Sequence, residues 1–173
     1  MSKAGNIDNM LYIQKHMPKE RRKLHIILNN ELLDAYNEAG REEEYFNTLI
    51  KRVKEAKNEE IPELGKRFPE GASRGLLMNN PEKAESFKLV VEAYGERGIM
   101  RPAQALWCQA FILRNYTEAR EIHDKYLKEE ILHISPILEI ASNTDSQAMI
   151  EELISVLNTK KNNTATEALA IEI

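Results

Sequence analysis

Residues 28–56 read LNNELLDAYNEAGREEEYFNTLIKRVKEA, and this stretch decides the fold class. Apolar side chains recur three or four positions apart on both sides of Gly40, a spacing that gives a helix one face to bury. They are Leu32, Leu33 and Tyr36 before the glycine and Phe46, Leu49, Ile50 and Val53 after it. Glycine tolerates the left-handed conformation in which helices commonly end. The stretch therefore predicts two antiparallel helices joined by a tight turn.

The same periodicity recurs along the whole chain, and no segment shows the strict alternation of a half-buried strand. It predicts an all-α protein with nine helices, at 6–17, 20–39, 41–57, 71–79, 81–97, 101–114, 116–130, 135–143 and 145–158. Glycine, asparagine, proline and aspartate occupy the short breaks between most of these helices, as expected for helix ends. Residues 58–70 form a longer connection that could contain a distorted turn of helix.

The predicted turns recur at a nearly constant interval. Gly5 and Gly40 are 35 residues apart, as are Asn80 and Asn115, whereas 40 residues separate Gly40 from Asn80. A helical pair of this length cannot bury its apolar face alone and must stack on its neighbours. We therefore expect a right-handed α-α superhelix, a solenoid of about four to five helical hairpin repeats.

Both ends of the chain depart from the repeating pattern. Residues 2–17, SKAGNIDNMLYIQKHM, are typical of the end of one helix, a turn at Gly5 and a second helix. The helical periodicity stops after Lys160. We therefore expect a repeat array over residues 1–160 that starts in the middle of a repeat, followed by a flexible tail at 161–173.

The composition is that of a folded domain whose two halves differ in charge. Hydrophobic residues make up 42% of the chain, and no apolar run approaches the ~20 residues that a membrane span needs. The net charge is −4, because residues 1–68 hold 13 Lys and Arg against 12 Asp and Glu, while residues 69–173 hold 11 against 16. A polyanionic partner should therefore prefer the first half, and no membrane partner is expected.

Residues that could carry chemistry form no catalytic or metal-binding pattern. His16, His25, His123 and His133 lack metal-ligand spacing, and Cys108 lies in an apolar run without a neighbouring histidine. The chain has no glycine-rich phosphate loop after a strand and no GxSxG motif. We therefore expect a protein that is not an enzyme and that uses no cofactor, no metal and no small-molecule substrate.

Residues 28–56 closely resemble the pentatricopeptide repeat (PPR), a helical hairpin whose first helix ends in a turn like LLDAYNEAG at residues 32–40. SKAGNIDNM, residues 2–10, is similar to the same turn, and the pairs at 101–127 and 134–159 are similar to degenerate copies. Tetratricopeptide (TPR) hairpins share this architecture but favour other small and aromatic residues. Taken in order, the pairs resemble leucine-rich members of the PPR family from animal mitochondria.

This resemblance implies an RNA-binding or scaffold segment of a mitochondrial PPR protein that stabilises messenger RNA and supports its polyadenylation and translation. The implied partners are single-stranded mitochondrial messenger RNA and a small RNA-recognition-motif protein. The implied location is the mitochondrial matrix, with the nucleus as a second one. The alternative is a protein–protein interaction solenoid of TPR type without RNA contact, which the net charge of −4 and the acidic second half favour.

In PPR arrays two polar side chains per repeat read each base of a single strand. The register set by Gly40 places Asn30 at the first reading position and Glu60 near the second. The same position in a later pair is occupied by Gln104, which could also read a base. In two other pairs it is occupied by Pro69, which cannot read a base in this way, and by His133, which lies on a shortened helix with an uncertain register. Sequence-specific reading over this segment is therefore expected to be weak.

A basic cluster at the start of the predicted second helix offers phosphate contacts. It comprises Lys19, Arg21, Arg22 and Lys23. Such contacts add affinity that falls as salt rises. The alternative interpretation is an ordinary solvated helix face beside Glu20. A second basic row, Lys51, Arg52, Lys54 and Lys57, follows the acidic start of the next helix and is interpreted as complementing the helix dipole.

The proposed register makes Asn30 testable. If this amide reads a base, Asn30→Ala should weaken RNA binding by about 1–3 kcal/mol and leave the melting temperature nearly unchanged. Filter binding with single-stranded RNA and thermal unfolding measure the two effects. A parallel loss of stability would instead make Asn30 a packing residue.

Overall fold

The computed structural model describes the backbone of residues 3–171 and the side chains of residues 6–160. This part of the chain is helical and contains no strand, so the predicted all-α class is confirmed. Ten α-helices form it: α1 (Lys3–His16), α2 (Arg22–Glu38), α3 (Glu42–Glu55), α4 (Ile61–Lys66), α5 (Glu70–Asn79), α6 (Ala84–Gly95), α7 (Arg101–Ile112), α8 (Tyr116–Ile122), α9 (Ser135–Thr144) and α10 (Gln147–Ile171).

The one helix beyond the nine predicted is α4, which lies in the long connection at residues 58–70. A 3₁₀ turn at Asn58–Glu60 leads into α4, and Pro62 stands in the first turn of that helix, where its missing N–H costs nothing. A second departure is at the end of α8, where the predicted helix 116–130 changes to π-helical geometry over His123–Leu127. The predicted tail at 161–173 lies outside the residues whose side chains are described and stays a prediction.

The turn predicted at Gly5 is wrong, because Gly5 lies inside α1. A glycine within a helix costs only about 1 kcal/mol relative to alanine, and packing can offset that cost. Ile7 and Met10, which follow it on the same helix, are both buried. The interval from Gly5 to Gly40 therefore does not separate two hairpin turns.

The contacts divide the chain into two units, Met1–Leu106 and Trp107–Ile173. In the first unit, α2 packs against both α1 and α3, and α3 also packs against α6. In the second unit, α9 packs against α10, and α8 continues into the π-helical turn. Three pairs of consecutive helices, α1 with α2, α2 with α3 and α9 with α10, thus pack against each other, as the periodicity predicts for helical hairpins.

Helices α2 and α6 end in the same way and share a sequence motif. The segments AYNEAG and AYGERG, residues 35–40 and 93–98, each bury a tyrosine and end in a glycine with positive φ, 67° at Gly40 and 78° at Gly98. The N–H of the residue after each glycine donates to the tyrosine carbonyl, at 2.9 Å and 3.0 Å. This closure satisfies a carbonyl that the helix end leaves free. The turn predicted at Gly40 is confirmed, and the sequence analysis missed its counterpart at Gly98.

Two further helix ends use the same closure without glycine. Arg114 and Asp145 adopt positive φ after α7 and α9, and the following N–H groups of Asn115 and Ser146 donate to carbonyls five residues back, at 2.9 Å and 3.0 Å. Asn115, predicted as a left-handed helix end, instead caps the start of α8 by accepting from the N–H of Glu118. Asparagine suits either place, so its sequence position alone did not separate them.

Two arginines hold the connection between α3 and α5 in place. Arg97 donates to the carbonyls of Val53 and Ala56, at 2.8 Å and 3.0 Å, and so caps the end of α3. Arg101 donates to the carbonyl of Lys66 at 2.7 Å at the end of α4. Helix C-termini leave carbonyls unsatisfied and carry partial negative charge, so a guanidinium is well matched to both. The connection is therefore fixed against the helices that follow it.

Glycine substitutions should separate backbone strain from packing. Gly40 and Gly75 both have open space where a Cβ would be added, but only Gly40 has positive φ. We expect Gly40→Ala to lower the free energy of unfolding by roughly 1–2 kcal/mol, because alanine is strained in the left-handed region.

Gly75, within α5, is the matched control. Gly75→Ala should raise the free energy of unfolding by about 0.5–1 kcal/mol, because alanine loses less backbone entropy in a helix. Urea denaturation measures both variants. Shifts of the same sign would contradict this account of the helix end.

Candidate nucleic-acid interface

A groove of about 890 Å³ opens on the first unit, between α1, α2, α3 and the connection that follows α3. We call it the basic groove, because seven Lys and Arg line it against four Glu, an excess of three positive charges. Its lining residues are Gln14, Lys15, Met17, Lys19, Arg22, Lys23, His25, Ile26, Ile27, Asn29, Lys51, Arg52, Glu55, Ala56, Glu59, Glu60, Glu63, Leu64 and Arg67.

The first wall of the groove is the hairpin of α1 and α2. The Gln14 amide on α1 donates to the Asn29 side-chain oxygen on α2 at 2.8 Å, which sets the two helices side by side. The His25 ring nitrogen lies 3.1 Å from the Pro18 carbonyl and holds the loop against α2. The positively charged side chains of this wall, Lys15, Lys19, Arg22 and Lys23, come from the helix ends that meet at this loop.

The second wall is the last part of α3. Arg52 follows Tyr45 and Leu49 at helical spacing, and both of those side chains are buried. Its stem therefore lies at the edge of the buried face, while the residue still lines the groove. Lys51, its neighbour, is exposed and lines the groove beside it. The same wall ends α3 with Glu55 and continues into the connection, which supplies the other three glutamates, Glu59, Glu60 and Glu63.

An ion pair joins the two walls. Arg22 donates through Nε and Nη2 to the two carboxylate oxygens of Glu60, at 2.8 Å and 2.7 Å. Glu60 also accepts from the N–H of Lys57 at 3.0 Å. Partial burial acts to raise the pKa of Glu60, but the bonds from Arg22 and Lys57 lower it by more, so the net pKa lies below its usual value. The pair fixes the width of the groove at this end, and its geometry is the strong bidentate type.

The structure brings together four of the seven residues that the sequence singled out for RNA contact. Lys19, Arg22, Lys23 and Glu60 line the basic groove.

The other three lie elsewhere. Arg21 is exposed beside the groove, and Asn30 is partly buried on α2. Gln104 is in the interior, with 3% of its surface exposed. On α2 it is Asn29 rather than Asn30 that lines the groove. Glu60, predicted as a base reader, is engaged by Arg22.

Sequence reasoning missed four positive side chains of the groove, those of Lys15, Lys51, Arg52 and Arg67. The basic row on α3 was interpreted as complementing the helix dipole, whereas the structure separates Lys51 and Arg52, which line the groove, from Lys54 and Lys57, which do not. The helical spacing from Tyr45 and Leu49 was the available signal, because it placed Arg52 on the buried edge. Nothing in the sequence marked Arg67.

The groove can bind an anion, and its residues suggest no other chemistry. Among the described residues, no three His, Cys, Asp or Glu side chains converge to hold a metal ion. The one cysteine, Cys108, is buried in α7. No helix in the described part of the chain has the length and apolar content needed to cross a bilayer.

The basic groove combines lysine, arginine and amide side chains. This combination is typical of contacts to a phosphate backbone.

Comparisons of the chain with protein-family models, with curated proteins and with solved structures gave no match. They therefore leave the resemblance of residues 28–56 to PPR hairpins as an expectation from the sequence.

The ion pair between Arg22 and Glu60 makes stability depend on pH. The pKa of Glu60 is lowered in the folded state, so its contribution is present above the ordinary value of 4.5 and is lost as pH falls through the folded value. Glu60→Gln should therefore lose less stability than the wild type when pH is lowered from neutral through this range.

Glu59→Gln is the matched control, because it removes a neighbouring carboxylate of the same groove that forms no ion pair with the residues whose side chains are described. Denaturant unfolding at a series of pH values measures the difference. Equal pH profiles for the wild type and Glu60→Gln would refute a stabilising role for the pair.

Proposed function

We propose that residues 1–106 bind single-stranded RNA in the basic groove and that the chain is a non-enzymatic RNA-binding segment of PPR type. The observation that carries this proposal is the convergence of seven basic side chains, from three helices and a connection, on one concave surface. The whole chain is acidic, with a net charge of −4, whereas the groove has an excess of three positive charges. Such a local excess attracts a polyanion even to an acidic protein.

The kinds of side chain in the groove favour a flexible strand held through its phosphates. Gln14 and Asn29 offer amides, and the glutamates offer acceptors, that could meet base edges. Phe, Tyr and Trp, on which bases stack most strongly, are absent from the described lining, and His25 is its one aromatic ring. Binding should therefore depend strongly on salt and only weakly on base sequence, in keeping with the weak reading expected from Asn30, Glu60 and Gln104.

The wider role that we propose rests on the resemblance to PPR proteins. In it the hairpins stack as a right-handed superhelix within a longer array, and the groove is one part of its RNA path. The parent protein would stabilise mitochondrial messenger RNA and support its polyadenylation and translation, together with a small RNA-recognition-motif partner in the matrix. The proposed stacking of hairpins is supported by the repeated AYxxxG helix ends and by the packing of α3 against α6, which links one hairpin to the next.

One observation favours the second candidate, a protein-interaction solenoid of TPR type. Five large apolar side chains on α1 and α2 are exposed by between 37% and 66%. They are Leu11, Tyr12, Ile13, Leu24 and Ile27. Exposed apolar side chains on neighbouring helices are typical of protein contacts. A chain that bound no RNA at low salt would favour this candidate.

Two lysines on α3 test the RNA proposal. Lys51 and Lys54 are both exposed, but only Lys51 lines the basic groove. Lys51→Ala should weaken binding of an unstructured oligouridylate. It should also reduce the slope of log K against log salt by about 0.7, because one phosphate contact is lost.

The matched control, Lys54→Ala, should leave both affinity and slope at their wild-type values. Fluorescence anisotropy over a range of salt concentrations measures them. Equal effects of the two substitutions would show that RNA responds to total charge and not to this groove.

A further inference from the structure

Arg52 differs from the other partly buried arginines of residues 6–106, because its charge has no partner within the described part of the chain. Its Nε atom is shielded from solvent and makes no hydrogen bond within the described part of the chain. No carboxylate of the described residues lies within ion-pair distance of its guanidinium. A buried N–H without an acceptor destabilises the fold, and more so when the group is charged.

The comparison with neighbouring arginines makes this exception clear. Every other partly buried arginine of residues 6–106 has an oxygen acceptor. Arg22 pairs with Glu60, Arg41 with Glu44, Arg74 with Glu70, Arg97 with the carbonyls that end α3, and Arg101 with Glu70 and the carbonyls that end α4. The fold thus supplies acceptors wherever it buries a guanidinium, except at Arg52.

The surroundings of Arg52 add a further unfavourable charge. Removal from water is the largest effect on the pKa of Arg52 and lowers it. Tyr94 opposes this effect in part, and the positive charge of Arg67 lowers the pKa again by a smaller amount. Arginine nevertheless stays protonated in proteins. The site therefore holds a partly desolvated cation near Arg67, whose own charge is paired with Glu63 at 3.1 Å, so the unpaired charge of Arg52 is the one that an anion would stabilise.

The position of Arg52 indicates where that anion would bind. The residue is only partly exposed, and its accessible surface contributes to the basic groove beside Lys51 and Arg67. A guanidinium presents a planar fork of donors that matches two oxygens of a phosphate group. Lysine side chains, which are flexible point charges, would complete the neutralisation without fixing its geometry.

We propose that Arg52 anchors one phosphate group of the bound RNA strand, with its guanidinium as the fixed donor and the lysines of the groove as mobile counter-charges. This inference rests on the proposed function and deepens it. It assigns a specific phosphate site within the groove, which the excess of positive charge alone does not require.

The proposal makes stability and binding change in opposite directions. Arg52→Met keeps the length of the side chain and its packing but removes the unpaired charge. The free protein should therefore melt at a higher temperature than the wild type, while affinity for an unstructured oligouridylate should fall about tenfold or more. If Arg52 served only to stabilise the fold, Arg52→Met would instead melt at a lower temperature than the wild type.

Arg52→Lys separates a directed contact from a general effect of charge. It keeps the positive charge and loses the planar fork, so affinity for the oligouridylate should still fall severalfold. The matched control is Arg114→Lys, at an exposed guanidinium outside the groove, which should bind like the wild type. Wild-type affinity in both Arg52→Met and Arg52→Lys would overturn the proposal and leave the RNA function standing.

Inorganic phosphate tests the site without RNA. In the full chain, phosphate should shift the Arg52 Nε–H resonance and raise the melting temperature more than sodium chloride does at equal ionic strength. In Arg52→Met, which lacks this resonance, the extra rise in melting temperature with phosphate should vanish. If they appear but no RNA binds at low salt, the anion site stands and the RNA function fails. If phosphate has no effect and a glutamate-rich peptide binds the groove instead, the phosphate anchor is overturned in favour of a protein partner.

Discussion

The capping of free helix ends is the constraint on which this fold depends. Each of its many short helices ends in carbonyls that need donors, and six of the described helices meet this need in one of two ways. Four helices close on themselves through a residue in the left-handed region, as at Gly40 and Gly98. Helices α3 and α4 instead receive guanidinium donors from Arg97 and Arg101, which lie more than 30 residues later in the chain. Local closures make the hairpins, and the distant arginines hold the connection between them.

The basic groove follows from this second kind of cap. The connection after α3 carries Glu59, Glu60 and Glu63, and it lies opposite the basic end of α2. Because Arg97 fixes the start of the connection, Glu60 stands where Arg22 can bind it with both nitrogens. The groove therefore has one wall that is mainly basic and one that is mixed. Part of its positive charge is balanced internally by the pair between Arg22 and Glu60.

The paired Arg22 and the unpaired Arg52 of the basic groove affect the stability of the protein differently. Arg22 contributes to the shape of the groove and is largely satisfied by its partner. Arg52 is buried in part, unpaired and close to a second cation, a state that the free protein maintains at a cost in stability. Sites that bind charged ligands commonly carry such a cost, because the ligand supplies the missing interaction. The fold around α3, whose Tyr45, Phe46 and Leu49 are buried, is what holds the arginine in that state.

The sequence by itself determined the helical class, most helix positions and the turn at Gly40, because those features depend on residues a few positions apart. It also identified the basic cluster at Lys19 to Lys23. It misjudged Gly5, since a lone glycine costs a helix little when the residues after it are buried. Only the tertiary structure decided that Glu60 binds Arg22, that Gln104 is interior, and that Arg52 lines the groove without a partner. These depend on contacts between distant segments, whose geometry is set by how whole helices pack and not by local periodicity.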